Sequence, residues 1–237
     1  MEKDIRLNKF IAEAGICSRR DADVLITDGR VTVNGSVATQ GMKVSDQDTV
    51  CVNGKAIKRK SAKVILAFYK PEGVVCTERD AHARVKIGDI VDYPERVTYA
   101  GRLDKDSEGL ILLTNDGDLI NSLMKGSNRH EKEYIVKTDR PVTEGFLEAM
   151  SQGVYLRELD VTTRPCTVEQ IGKYTFRIIL TQGLNRQIRR MCAEQNMKVV
   201  SLKRIRVANI ELGNLKKGSF RELSPQETEG LMHILEK

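Results

Sequence analysis

Gly101-Arg102-Leu103-Asp104-Lys105-Asp106-Ser107-Glu108-Gly109-Leu110-Ile111-Leu112-Leu113-Thr114-Asn115 sets a dense cluster of charges directly before an apolar run. The charged half reads as a loop and Leu110–Thr114 as a buried strand. Polar side chains at the mouth of a rigid strand are where chemistry is usually placed. Three chemistries fit these residues. Asp104, Asp106, Glu108 and Gly109 stand where a calcium-binding EF-hand loop has its first ligands and its glycine. The closing bidentate Glu of such a loop is replaced by Asn115, and a strand follows where a helix should. Asp104 with Asp106 or Glu108 could also form the carboxylate pair of a glycoside hydrolase. In the third, a single carboxylate acts alone.

Working outward, the 237 residues suffice for one large core or two smaller ones. No long apolar run appears, so no membrane span is expected. The segment Met1-Glu2-Lys3-Asp4 is charged and lacks a signal-like apolar stretch, which predicts a cytoplasmic protein. The five cysteines contain no CxxC pair, and the three histidines show no metal-ligand spacing. Neither a disulfide frame nor a metal site is expected. The net charge of +6 hints at a polyanionic partner.

The pattern divides the chain into a unit over residues 1–58, a linker over 59–63 around Lys58-Arg59-Lys60-Ser61, and a larger unit over 64–237. In the first, Leu7, Phe10, Ile11 and Ala14 recur at i, i+3, i+4 and i+7 and predict a helix ended by Gly15. Ser18 caps a second helix by accepting from the backbone N–H of Asp21, and Gly29 closes it. Asn34-Gly35 and Asn53-Gly54 are hairpin turns. Arg6, Lys9, Ser18, Arg19, Arg20 and Arg30 gather basic and donor groups around these helices. The start of the second is suited to phosphate. The larger unit starts with a strand at Val64–Phe68. Further strands are predicted near Thr98–Tyr99, Leu110–Thr114, Glu133–Thr138, Cys166–Ile171, Thr175–Thr181 and Val199–Val207. Helices are predicted near Asp118–Lys125, Glu144–Ser151, Asn185–Gln195 and Pro225–Leu235. The last carries Ser224 as cap, Pro225 at the first helical position and Glu227 completing a capping box.

Residues 4–55, from Arg6-Leu7-Asn8-Lys9-Phe10 through Ser18-Arg19-Arg20 to Asn34-Gly35, resemble the S4 RNA-binding domain. Gly101-Arg102-Leu103-Asp104 with Ser107-x-Gly109-Leu110 resembles the catalytic motif of the pseudouridine synthases. Lys70-Pro71-Glu72-Gly73-Val74, Glu131-Lys132-Glu133-Tyr134 and Gly183-Leu184-Asn185-Arg186-Gln187-Ile188-Arg189-Arg190-Met191 resemble that family's other motifs, in its order. The chain is thus similar to the RsuA-like ribosomal RNA pseudouridine synthases. His130–Tyr134 and Thr181–Cys192 look closest to the F-type, large-subunit branch.

The resemblance implies an α+β protein, with a small S4-like α/β RNA-binding domain ahead of a larger, mostly antiparallel mixed sheet with flanking helices. It implies isomerisation of uridine to pseudouridine without metal or cofactor. The implied partner is ribosomal RNA (23S, or a ribosomal assembly particle), and the expected state is a monomer. Asp104 is the implied nucleophile, and Arg189 the guanidinium that keeps it ionised and fixes its direction. Arg102 fills the gap left by a flipped base, Tyr134 stacks on the uracil, and Ile188 packs against its other face. RNA contact falls to Arg6, Lys9, Ser18, Arg19, Arg20 and Arg30. Asp106, Ser107 and Glu108 are read as stabilising the loop.

Overall fold

A computed structural model describes residues 4–59, 62–77, 84–125 and 129–236. Two compact units are present. The first comprises Met1–Val64, Tyr93–Thr98 and Asn115–Gly117; the second comprises Ile65–Asp92, Tyr99–Thr114 and Asp118–Lys237.

In the first unit the chain runs through β1 (Ile5–Arg6), α1 (Leu7–Glu13), α2 (Arg19–Thr27), β2 (Val31–Val33), β3 (Ser36–Val37), β4 (Lys43–Val44), β5 (Val50–Val52) and β6 (Lys55–Ile57). Leu7, Phe10 and Ile11, one face of α1, are buried with Ala22 and Ile26 of α2 against Val31, Val33, Val50 and Val52. The sheet order is β3-β2-β5-β6, all antiparallel. Both of its tight turns have the positive φ pair that Asn-Gly supplies: 50° and 84° at Asn34-Gly35, 50° and 77° at Asn53-Gly54. The Ser18 hydroxyl caps α2 by accepting from Asp21 N at 3.2 Å. Arg59, read from the sequence as linker, is tied back to this unit: it pairs with Asp46 and Glu13 and lies 5.9 Å from the Phe10 ring centroid. Lys60 and Ser61 lie outside the described residues.

The second unit continues with β7 (Ile65–Lys70), β8 (Thr98–Ala100), β9 (Glu108–Thr114), α3 (Gly117–Met124), β10 (Lys132–Thr138), α4 (Glu144–Gln152), β11 (Tyr155–Leu156), β12 (Val161–Thr162), β13 (Thr167–Gly172), β14 (Thr175–Leu180), α5 (Gln187–Glu194), β15 (Val199–Val207), β16 (Ile210–Glu211), β17 (Phe220–Glu222) and α6 (Pro225–Leu235). Nine strands form one sheet in the order β13-β14-β10-β15-β9-β7-β17, with β16 on β15 and β8 on β9. Every neighbour in that order is antiparallel except β15 and β9, which are parallel. The fold is therefore the α+β arrangement with a mostly antiparallel sheet that the sequence implies.

Two apolar clusters cover this sheet. One packs α4 and α5 on β10 and β14 through Phe146, Met150, Phe176, Ile178, Met191 and Cys192. The other packs α3 and α6 on β7 and β9 through Leu110, Leu112, Leu119, Leu123 and Leu231. β15 and β9 join the two halves. The helical and strand bounds differ from the sequence reading by one to two residues, as fraying ends do. β7 runs two residues further, through Lys70, and β9 starts two residues earlier, at Glu108, so that Glu108 and Gly109, read from the sequence as loop, pair in the sheet. Lys70 is fully buried because its ammonium donates to the carbonyls of Pro71 (2.9 Å) and Val74 (2.8 Å).

Gly109 is fixed by the parallel pair. Its φ is 114°, and a Cβ there would press on the backbone carbonyl of Arg204 and stand 2.6 Å from its nitrogen. Gly109→Ala therefore combines a disfavoured backbone with a backbone collision and should cost about 2 kcal/mol or more. That lowers the melting temperature by roughly 4–8 °C for a unit of this size. Thermal denaturation followed by circular dichroism checks it, and an unchanged midpoint contradicts the packing described.

At α6 the capping box forms: the Ser224 hydroxyl accepts from Glu227 N, and Glu227 accepts from Ser224 N at 2.8 Å and from both Arg221 Nη atoms at 2.7 and 2.8 Å. The Arg221 guanidinium and these N–H donors pull the Glu227 carboxyl down to about 2. Its contribution is complete above the unfolded carboxyl value near 4.5 and is lost as pH falls from there toward about 2. Linkage sets a ceiling of about 3 kcal/mol, and solvent screening brings the expected figure to about 1–2 kcal/mol. Urea unfolding at pH 7 and pH 3 should show Glu227→Gln destabilised at pH 7 and the gap to the parent narrowed at pH 3.

Candidate active site

The loop before β9 is built by its neighbours as much as by its own sequence. Ser107 N donates to Asp104 O at 3.1 Å, closing a turn over Asp104–Ser107. Gly73 N donates to Lys105 O at 2.7 Å, which ties the turn after Lys70-Pro71 to the loop. Leu103 is held by the Cys76 thiol, which donates to its carbonyl at 3.2 Å. Ser107 is buried, while Arg102 stays exposed.

The far side of the loop is gripped by α5. Its N-cap residue, Arg186, has the left-handed backbone (φ 50°, ψ 34°). The Arg186 guanidinium binds Asp106 with two hydrogen bonds, 3.1 and 2.7 Å, and lies 3.7 Å from Asp104 Oδ2. This bidentate contact holds the Asp106 carboxyl below its ordinary value. One turn further along, Arg189 donates to the Asp106 carbonyl at 2.6 Å, to Ser107 Oγ at 3.3 Å and to Val199 O at 3.3 Å. Its Nε is 3.4 Å from Asp106 Oδ2. The guanidinium at Asp104 is thus that of Arg186, where the sequence resemblance pointed to Arg189. The reason is reach: Arg189 is mostly buried and spends its donors on the Asp106 carbonyl, the Ser107 hydroxyl and the Val199 carbonyl. Arg186 starts the helix, and its side chain is free to meet the carboxylates.

A cavity of about 450 Å³ opens beside this loop. Asp104, Arg102, Tyr134 and Ile188 all line it, brought from the loop, β10 and α5. Arg189 is not among the described residues that line it. Tyr134 is half-buried and Ile188 is buried, packed among the residues around α5. Lys132, two residues before Tyr134 on β10, and Arg204 of β15 line the same cavity. Burial beside Arg204 brings the Lys132 ammonium down to about 8. Lys70 is also pulled down by burial, opposed by Cys76, Asp104 and Asp106. Lys132, Arg186 and Arg204 were given no role from the sequence. The first two stand inside the motifs, and the two-residue spacing from Tyr134 could have pointed to Lys132. Among the described residues, no group of three His, Cys, Asp or Glu side chains is placed to hold a metal ion. No helix among them is long and apolar enough to cross a membrane.

The six basic or donor residues proposed for RNA lie in the first unit. Arg6, Arg19, Arg20 and Arg30 are exposed. Arg19 and Arg20 open α2. Lys9 sits 3.6 Å from Glu13, and Arg30 donates to Asn53 Oδ1 at 2.7 Å. The Ser18 hydroxyl is engaged in its cap, donating to Asp21 Oδ2 at 2.6 Å as well as accepting from Asp21 N.

Comparison with known proteins identifies the family and both of its domains. Residues 64–194 match the RNA pseudouridylate synthase family and residues 5–50 match the S4 domain. The chain is 46% identical to the dual-specificity RNA pseudouridine synthase RluF of Escherichia coli K12, over 99% of this chain and 81% of that one. It is 38% identical to the ribosomal large subunit pseudouridine synthase B of Bacillus subtilis 168, over 95% of each. A solved pseudouridylate synthase superposes with a TM-score of 0.71 at 31% identity, covering 96% of this chain and 99% of that one. With an S4 domain ahead of a sheet whose strand-edge loop carries a cavity-lining aspartate, the chain belongs to the RNA pseudouridylate synthase family.

Proposed function

We propose that this protein converts uridine to pseudouridine at chosen positions of ribosomal RNA, the 23S RNA of the large subunit first among them, as a cytoplasmic monomer. The relatives named for RNA and for the large ribosomal subunit support this substrate, and the S4 match supports RNA contact. In this reading residues 1–58 bind RNA, 59–63 join the units and 64–237 carry the chemistry. The observation that carries it is the convergence of Asp104, Arg102, Tyr134 and Ile188 on one cavity.

The reaction needs neither redox change nor metal. The N1–C1′ bond of uridine breaks, the base turns, and C5 bonds to C1′. A carboxylate at the reacting sugar or base suits the first step, and Asp104 is that group. Arg186 and Asp106 keep it aimed, and Arg189 fastens the backbone beneath it. A uridine must leave the RNA stack to reach the cavity, at a cost of a few kcal/mol. Arg102, exposed at the rim, occupies the vacated place. Tyr134 and Ile188 sandwich the base, an aromatic face on one side and an aliphatic one on the other. Arg6, Lys9, Arg19, Arg20 and Arg30 contact phosphate, and Ser18 acts through the helix start it caps. RNA recognition of this kind reads shape and backbone.

Asp104→Asn should reduce pseudouridine formation in ribosomal RNA by roughly a thousandfold or more. RNA affinity and melting temperature should stay close to those of the parent. Mapping pseudouridines after incubation of unmodified ribosomal RNA with each protein reads the outcome. Undiminished product from the variant would remove Asp104 from the chemistry. Binding without product by the parent would point to an RNA-binding factor instead.

A further inference from the structure

Arg204 is 3% exposed, and its Nη2 finds no hydrogen-bond partner among the described residues. Buried polar atoms are nearly always paired, so a native exception asks for a reason. Its Nε is anchored on Leu110 O at 2.6 Å, which holds the guanidinium at the cavity wall. Lys132 lines the same cavity. Its ammonium donates to His130 O at 3.1 Å and has no carboxylate within ion-pair distance among the described residues. Two cations thus meet at one cavity, one with an idle buried donor, and neither has a carboxylate within ion-pair distance among the described residues. Arg204 is buried and Lys132 half-buried, and charges so placed are costly unless an opposite charge arrives.

We propose that Lys132 and Arg204 form an anion-accepting wall that stabilises the uracil while it carries negative charge. This rests on the reading of the cavity as the uridine site. When N1–C1′ breaks heterolytically, the bonding pair stays on the base and spreads over N1, O2 and O4. When C5 bonds to C1′ the ring supplies that pair, C5 loses its proton, N1 gains one, and the product is an isomer. Charge on the base oxygens exists only between these events. Fixed donors at the cavity wall favour the transition state over the bound neutral uridine. Asp104 and Tyr134 occupy the other positions around the base, so the wall adds the one function they lack.

The test is single-turnover pseudouridine formation on an unmodified ribosomal RNA transcript across pH 6.5–9.5, a window set about the Lys132 value near 8. Arg204 from β15 and His130 from its own segment act on Lys132, and Asp104 and Tyr134 line the same cavity; its β14 partner Leu180 and its β15 partner Val207 do not titrate. Lys132→Met should slow the chemical step about a hundredfold while RNA affinity and melting temperature stay within experimental spread. In the parent the rate should fall as pH rises through about 8, where the ammonium loses its proton. Lys132→Arg, charged throughout, should abolish that alkaline fall. If Lys132→Met fails to fold, the Lys132→Arg profile decides. A Lys132→Met rate within threefold of the parent, or the same alkaline fall in Lys132→Arg, overturns the proposal while leaving the assigned activity standing. A parent that makes no pseudouridine overturns the activity and this inference together.

Discussion

The close approach of Gly109 to the backbone of Arg204 is the constraint on which the rest of the second unit hangs. It is the only parallel contact in the described sheet order, and it joins two half-sheets, each with its own apolar cover of helices. One half supplies the loop with Asp104. The other supplies Tyr134, Lys132 and the helix of Arg186 and Arg189. A side chain at position 109 would push the halves apart. The loop enters β9 one residue before Gly109, so the residue that permits this pairing also fixes where the loop begins.

Holding the loop of Asp104 still is the second requirement, and here the chain uses arginine rather than apolar packing. The loop is rich in charged side chains, so it cannot be buried as a core segment. Its carbonyls and carboxylates are satisfied instead by Arg186 and Arg189, with Ser107 turned inward and Cys76 and Gly73 bonded to its backbone. Guanidinium groups suit this task, because their planar fork fixes direction as well as distance. Lys70 does comparable work beneath the loop, its ammonium spent on two carbonyls of the following turn.

Much of this was legible in the residues. Asn34-Gly35 and Asn53-Gly54 define their turns because few other pairs accept two positive φ values. Ser224-Pro225-Gln226-Glu227 defines the start of α6, and the apolar run 110–114 defines its strand, for equally local reasons. What was not legible depends on residues distant in sequence. Nothing near Gly109 announces that Arg204 will pass against it. The inward turn of Arg204 depends on a carbonyl 94 residues away, that of Leu110. The exchange of Arg186 for Arg189 at Asp104 follows from a left-handed N-cap and the depth of α5 under the loop, which a motif string does not encode. Asp106, read as scaffold, does hold the loop, and its partners became visible only in three dimensions.

The central claim is that Asp104 works because Asp106 and Arg186 act as one clamp beside it. A double-mutant cycle of Asp106→Ala and Arg186→Ala, read as the single-turnover rate of pseudouridine formation at saturating RNA, tests it most directly. The clamp predicts that each variant is slowed and that the double variant is no slower than the worse of the two. Multiplying losses, or a full rate in Asp106→Ala, would contradict it.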